Sequence, residues 1–247
     1  MLKIENLKVE IKNSTILDGI SLSVRPHTIT ALIGKNASGK STLLSCLTGE
    51  RKYTGKITFC DKDLALMSQK ERARLISLLP QHLPVPDITG TDLVKMGRTP
   101  YLDIGRRFTK EDELQVQKAL EAADAKDLSL KKISEMSGGE RQKIFLAMTL
   151  AQDTRLIAFD EPTSFMDIMH EKEFYCLLTD TVKKHKKTAL VVMHDLTRAA
   201  EIADSIAVMD NGKIVAHGKT EEIVKSGIIE KLFNVTRYDF NGLTIYR

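Results

Sequence analysis

Nine consecutive residues, Gly34-Lys35-Asn36-Ala37-Ser38-Gly39-Lys40-Ser41-Thr42, have the types and spacing of the phosphate-loop pattern G-x-x-x-x-G-K-[ST]. Gly34 and Gly39 let the main chain bend close to an anion with no side chain in the way. Successive backbone N–H groups then point inward, and a helix starting at the end of the loop adds its positive N-terminal end. In that setting Lys40 reaches β- and γ-phosphate oxygens, and the Ser41 hydroxyl is a ligand for Mg2+. The bland alternative is a glycine-rich turn with a solvated lysine. It has no need of the apolar run Ile29-Thr30-Ala31-Leu32-Ile33 before the loop or the helix-like run 41–47 after it, whereas the phosphate-binding pattern requires both. The chain is therefore expected to bind a nucleoside triphosphate.

Two further stretches fit that chemistry. Leu156-Ile157-Ala158-Phe159 is a short apolar strand ending in Asp160-Glu161-Pro162. In an open parallel sheet, ligands gather at the C-terminal ends of the strands. Asp160 there suits Mg2+ through water, and Glu161 suits a general base that polarises the attacking water. Asp-Glu-Pro alone also suits a helix-starting turn; the upstream loop is what gives it weight. The second stretch is Ser137-Gly138-Gly139-Glu140-Arg141-Gln142. Two glycines at a helix start expose unpaired N–H groups, with a hydroxyl beside them, as a second anion-binding end. Ser137 with Glu140 also reads as an N-cap and capping box, and the two readings are compatible.

The elements that must position these residues follow from periodicity. Leu2 to Ile11 alternates partly and Ile20 to Val24 cleanly, which predicts two strands with a turn at Asp18-Gly19 and another at Arg25-Pro26-His27. Gly55 to Cys60 reads as a short strand. A charged helical segment from Ser68 to Arg74 leads into the apolar strand 75–79, and Pro80, Pro84 and Pro86 then break regular structure. Residues 82–150 read as a helical insertion. Thr91 to Met96 is one helix, and Thr109-Lys110-Glu111-Asp112 caps another whose apolar positions are Leu114, Val116, Leu120 and Ala123. After it come the strand 156–159, a helix from Glu171 to Lys184, the buried strand 188–193 ending at His194, a helix 196–203, and a hairpin turning at Asn211-Gly212. Two short helices and a terminal strand, 243–246, close the chain. Strands alternating with helices predict an α/β fold with a mostly parallel sheet covered on both faces, preceded by an antiparallel β layer.

Composition limits the partners. Among 247 residues, 42% are hydrophobic and 28% charged, as in soluble proteins, and the net charge of +4 lacks the concentrated basic face that nucleic acid calls for. The basic run Lys183-Lys184-His185-Lys186-Lys187 reads as a solvated helix end. No apolar run approaches the ~18 residues of a membrane helix, and Met1-Leu2-Lys3-Ile4-Glu5 does not resemble a secretory signal. Cys46, Cys60 and Cys176 are scattered and read as reduced thiols.

Taken together, Gly34 to Thr42, Gln81, Ser137 to Gln142, Leu156 to Glu161, Ser164-Phe165-Met166-Asp167 and His194 occur in the order and spacing of an ABC-transporter ATPase subunit, which the chain resembles over nearly its whole length. The resemblance implies one ATPase domain, with 1–81 and 151–247 forming the P-loop core and 82–150 a helical subdomain carrying the signature motif. It also implies a head-to-tail dimer in which each of two ATP molecules lies between one subunit's P-loop and the other's signature. Lys40 and the loop residues Gly34, Lys35, Asn36, Ala37, Ser38, Gly39, Ser41 and Thr42 would bind nucleotide, while Ser41, Gln81 and Asp160 would serve the metal. Glu161, His194 and Lys40 would form the catalytic set. Ser137, Gly138, Gly139 and Glu140 would touch the nucleotide on the partner, and Asp167 would couple the two subunits. Ile11 would stand where the family stacks an aromatic ring on adenine, and Ala37 where it often has glycine; a left-handed backbone there costs about 1–2 kcal/mol.

A finer resemblance joins Met96-Gly97-Arg98-Thr99-Pro100-Tyr101, Thr109 to Asp112 and Asp167-Ile168 to the ATPases of iron–siderophore, haem and cobalamin importers. It implies membrane permease subunits as partners, an extracytoplasmic solute-binding protein acting indirectly, no nucleic acid, and a peripheral place on the cytoplasmic face of the cell membrane. Soluble ABC ATPases that act on ribosomes or DNA bring tandem domains, long coiled coils or basic extensions, which this sequence lacks. A P-loop small-molecule kinase leaves Ser137-Gly138-Gly139 without a role.

Overall fold

The computed structural model describes residues 1–102, 107–164, 166–240 and 243–247. Phe165, quoted above, lies outside them. In chain order the elements begin with β1 (Leu2–Ile11), β2 (Ser14–Val24), β3 (Ile29–Gly34), α1 (Lys40–Thr48), β4 (Thr54–Phe59), β5 (Lys62–Asp63), α2 (Gln69–Ala73) and β6 (Ile76–Leu79). Next come the helices α3 (Gly90–Met96), α4 (Lys110–Ala122) and α5 (Gly138–Ala151). The chain continues with β7 (Leu156–Asp160), α6 (Ile168–His185), β8 (Thr188–Val192), α7 (Leu196–Ile202), β9 (Ser205–Asp210) and β10 (Lys213–Lys219). It ends with α8 (Thr220–Lys225), α9 (Ile228–Phe233), β11 (Arg237–Phe240) and β12 (Leu243–Tyr246).

The main sheet has the order β10-β9-β3-β8-β7-β6, parallel except for the edge strand β10. Every residue of β3 and β8 is buried, as befits strands covered on both faces. The pleat divides β3 between two cores. Ile29, Ala31 and Ile33 face the cluster built with α3 to α7, whereas Leu32 faces the one shared with α1 and the antiparallel layer. That layer has the order β2-β1-β4-β5. The central place of β3, between β8 and β9, sets where its loop emerges.

Two expectations are corrected. The first turn falls at Lys12-Asn13, both at positive φ (47° and 64°), and β2 runs straight through Asp18-Gly19. Gly19, at φ 71°, sits where the β1–β2 register shifts, near the side chain of the left-handed Asn6 (φ 49°). A Cβ on Gly19 would come within 3.2 Å of Asn6 Oδ1. Asp-Gly thus marks an irregular, bulge-like stretch of ladder, not a reversal. In α4 the buried apolar positions are Val116, Ala119 and Leu120, with Ala123 just beyond, while Leu114 is exposed. Two positions along a helix are about 200° apart, so Leu114 cannot share Val116's face.

Elsewhere the sequence signals match. Ser68 and Thr109 form the capping boxes of α2 and α4, and Asn211-Gly212 (φ 45° and 74°) turns β9 into β10. In the basic run at the end of α6, Lys184 pairs with Asp180 and Lys187 with Asp153.

One buried cation ties the helical region to the sheet. Arg98, 6% exposed, places Nε and Nη2 each 3.1 Å from Asp112 Oδ1 and donates from Nη1 to the Ala151 carbonyl at 2.9 Å. Its guanidinium lies 4.0 Å from the centroid of the Tyr101 ring. The Tyr101 hydroxyl donates to the Gln152 carbonyl (3.0 Å), and Gln152 Nε2 to that of Ala73 (2.6 Å).

Candidate nucleotide site

The sheet order brings three strand ends side by side. β3 delivers the loop 34–42, its neighbour β8 delivers His194, and the next strand, β7, delivers Asp160-Glu161. Gln81 follows β6. These ends border a cleft of about 490 Å3 lined by Ile16, Asn36, Ala37, Ser38, Gly39, Lys40, Ser41, Thr42, Gln81, Glu161 and His194, a volume in the usual range for small-ligand sites.

The loop's glycines have distinct reasons to be there. A Cβ on Gly34 would lie 2.3 Å from the Met209 carbonyl, and Gly39 adopts φ 103°. Ala37 is left-handed as well, at φ 61°, and bears the strain that glycine would avoid. Lys40 is 5% exposed; its Nζ donates to the carbonyls of Gly34 (2.8 Å) and Lys35 (3.0 Å), so these two residues enter the site through their main chains. Burial pulls the Lys40 ammonium below the usual lysine range, against the carboxylates of Glu161 and Asp160, which act the other way.

Asp160 is partly buried. The Ser41 side chain is close enough to act on its carboxylate, while Oδ1 is buried with no partner. Burial raises its pKa, the Ser41 side chain opposes that, and the neighbouring Glu161 adds to it. An orphaned carboxylate oxygen near the Ser41 hydroxyl, one residue before the acid that Gln81 bonds, supplies with the Gln81 amide oxygen hard-oxygen donors that fit Mg2+. Glu161 is a left-handed residue at φ 49°, strained as functional residues often are. Its Oε2 accepts from Gln81 Nε2 and its Oε1 meets His194 Nε2, both at 2.5 Å. A carboxylate so held can orient a water for attack on a phosphoryl group.

Not every expected residue is here. Ile11 does not line the cleft; it is half-buried at the end of β1 and packs on the apolar cluster of the β layer. Ile16, just past the hairpin turn, lines the cleft instead. No sequence signal separated the two, because moving the turn from Asp18-Gly19 to Lys12-Asn13 changes which apolar residue returns toward the loop.

None of Ser137, Gly138, Gly139 and Glu140 borders the cleft. Ser137 N-caps α5: its Oγ accepts from Glu140 N at 3.2 Å, and Glu140 Oε2 accepts from Ser137 N at 2.7 Å. The Ser137 N–H and then Lys131 hold the Glu140 carboxyl below its usual range. The N–H groups of Gly138 and Gly139 precede the first intrahelical bond, Arg141 N to Ser137 O, and remain at the helix end. Asp167 N-caps α6; its Oδ1 accepts from His170 N at 2.9 Å and lies 2.8 Å from His170 Nδ1. His170 carried no signal as a lone histidine in a helical run.

A phosphate loop at the centre of a parallel sheet, with a strained acid two strand ends away and a metal-fitting carboxylate before it, defines a P-loop ATPase. The chain belongs to the ABC transporter family, whose model, described as "ABC transporter", matches residues 17–164. It is 34% identical over 233 residues to "Probable siderophore transport system ATP-binding protein YusV" of Bacillus subtilis (strain 168), covering 94% of this chain and 85% of that one. It is 35% identical over 235 residues to the ferric enterobactin transport ATP-binding protein FepC of Escherichia coli (strain K12), covering 94% and 86%. Among solved structures, the ADP conformation of MJ1267, an ATP-binding cassette of an ABC transporter, superposes with a TM-score of 0.83 at 26% identity, covering 95% of this chain and 97% of that one. Among the described residues no helix is long and apolar enough to cross a membrane.

Proposed function

We propose that this chain hydrolyses ATP to drive a membrane importer of an iron complex, a siderophore or haem, and that it works as a head-to-tail dimer beneath permease subunits. The observation that carries the ATPase reading is Glu161, held by Gln81 and His194 at the cleft that Lys40 and the loop 34–42 also form. The likeness to siderophore and ferric enterobactin transport proteins over nine-tenths of the chain supports the cargo class.

In this reading the loop amides and Lys40 hold the β- and γ-phosphates, and the Ile16 side chain offers the apolar wall for the nucleotide that Ile11 cannot. Ser41, Gln81 and Asp160 are the oxygen donors that would hold Mg2+, whose chemistry there is to neutralise phosphate charge. Glu161 accepts the proton of the attacking water, and His194 keeps that carboxylate aimed. Residues 82–150 act as a helical subdomain that swings the signature Ser137-Gly138-Gly139-Glu140 onto the ATP bound to the partner, with Asp167 at the contact, while 1–81 and 151–247 form the core. The ATPase pair then sits on the cytoplasmic face of the membrane, fed through the permease by an extracytoplasmic solute-binding protein.

The deciding experiment is uptake by the assembled complex in vesicles, with a ferric siderophore, haem and cobalamin as competing cargoes. ATP-dependent accumulation of an iron complex is expected. Uptake of cobalamin alone would move the cargo class, and sedimentation with ribosomes or nucleic acid in place of a permease would remove the importer reading.

A further inference from the structure

The segment that follows the catalytic acid is fastened to the signature helix at two points. At the first, Gln142 Nε2 on α5 donates to the Pro162 carbonyl at 2.6 Å, one residue past Glu161, and Gln142 is nearly buried. At the second, the His170 ring lies against Gly139. A Cβ built on Gly139 would meet His170 Cδ2 and Cγ at 3.2 Å and Nδ1 at 3.5 Å. The ring is itself fixed by Asp167, whose Oδ1 takes both the His170 backbone N–H and Nδ1. The absence of a side chain at Gly139 therefore serves two surfaces. One is the helix end, where the Gly138 and Gly139 amides stay open; the other is the seat of an imidazole.

From this geometry we infer that His170 is a positioning residue that locks the signature glycines to Asp167, so that the signature and the loop after Glu161 move as one body. The inference rests on the head-to-tail reading above, in which the signature of one subunit touches the ATP held by the other. Under that reading each α5 meets the partner's nucleotide at Gly138 and Gly139 and its own catalytic loop through His170 and Gln142. Loading of one ATP site is then transmitted to the acid of the other through two side chains. Two groups set the ring: Asp167 binds Nδ1 and Gly139 packs against it, and the His170 side chain is otherwise 42% accessible.

The test uses the full chain in its complex with the permease and compares His170→Ala with His170→Asn. Asparagine retains a planar group at the γ position, with a donor where Nδ1 stands, so it can bind Asp167 and cover Gly139. His170→Ala is expected to lower kcat about tenfold, as a misplaced reacting group does, with the KM for ATP within about twofold. It should also abolish cooperativity in ATP. Its melting temperature should not fall, because alanine favours the helix. His170→Asn should restore most of kcat and the cooperativity. Wild-type kcat and cooperativity in His170→Ala, or an asparagine variant as defective as alanine, overturns the role of His170. Ser137→Arg in the same assay separates the premises. If it is dead while His170→Ala is normal, His170 alone is wrong; if it turns over at the wild-type rate, the head-to-tail sandwich fails and this inference with it.

Discussion

Glu161 Oε1 and His194 Nε2 stand 2.5 Å apart, although the two residues follow different strands, β7 and β8. The register that pairs Asp160 with Val192 sets this proximity. The ring reaches one carboxylate oxygen and Gln81 the other, so neither oxygen is free to turn away from the cleft. Glu161→Gln should retain ATP binding, lose about 10²–10⁴ in hydrolysis and trap a closed dimer on ATP. Unchanged turnover would remove Glu161 from the role of base. His194→Ala should lower kcat far more than it alters ATP affinity, as single-turnover kinetics with equilibrium binding would reveal.

The signature is tested by charge and bulk. Ser137 caps α5 at an exposed helix end, where an arginine has room in the monomer but not against a second subunit. Ser137→Arg should block ATP-driven dimerisation in light scattering while nucleotide binding by the monomer stays within about twofold. Loss of binding in equal measure would place the signature in its own subunit's site.

Asp160 pays for its function with an unpartnered oxygen. Asp160→Asn should raise the stability of the nucleotide-free protein by about 1 kcal/mol and depress hydrolysis. The sign with pH follows from the cause: burial lifts the folded-state pKa above the unfolded value. The penalty is therefore full above the folded pKa and disappears as pH falls below the unfolded one, about 3.9. Melting curves of both proteins between neutral and acid pH should converge toward the acid end; a gap that widens there would contradict this.

Ala37 at φ 61° holds strain of about 1–2 kcal/mol. Glycine would relieve it but adds freedom to the unfolded chain, worth about 0.4–1 kcal/mol. Ala37→Gly should thus lie between neutral and about 1.5 kcal/mol stabilising. Chemical denaturation that shows clear destabilisation would mean that the alanine methyl is used in packing.

The Arg98–Asp112 pair is buried, and removing one partner strands the other. Asp112→Ala should cost about 3–5 kcal/mol. Although burial acts to raise it, bonds from Thr109 and Arg98 hold the Asp112 carboxyl below its usual range. Its contribution is present above the unfolded pKa and is lost as pH falls through the lower folded one. The stability difference from wild type, followed by denaturant titration, should shrink only in strong acid.

Much of this site was legible because phosphate chemistry constrains local order. The loop 34–42 and the pair Asp160-Glu161 each carry residue types that few other structures need at that spacing, and Ser137 with Glu140 was legible as a helix start. Main-sheet strands were legible for a similar reason: β3 and β8 are unbroken apolar runs. What escaped was set by tertiary context. Asp18-Gly19 has turn chemistry, yet the positive φ of Gly19 is spent on an irregular ladder near the Asn6 side chain. Ile11 and Ile16 are the same residue type on either side of a hairpin, and only its true turn decides which one returns to the cleft. His170 acquires meaning through Gly139, thirty-one positions away, which no local pattern encodes.

The hub around Arg98 grips α5 at its last residue, and the signature occupies its first. Fourteen residues of helix span about 21 Å, so a tilt at the Arg98 end is magnified at the signature and carried to the loop that Gln142 and His170 fasten there. A tilt of about 10° at the Arg98 end would sweep Gly138 through about 4 Å, by the length of the helix alone. The gear ratio is fixed by helix length: a small torque delivered near Tyr101 and Gln152 would arrive at the far end as travel longer than a hydrogen bond.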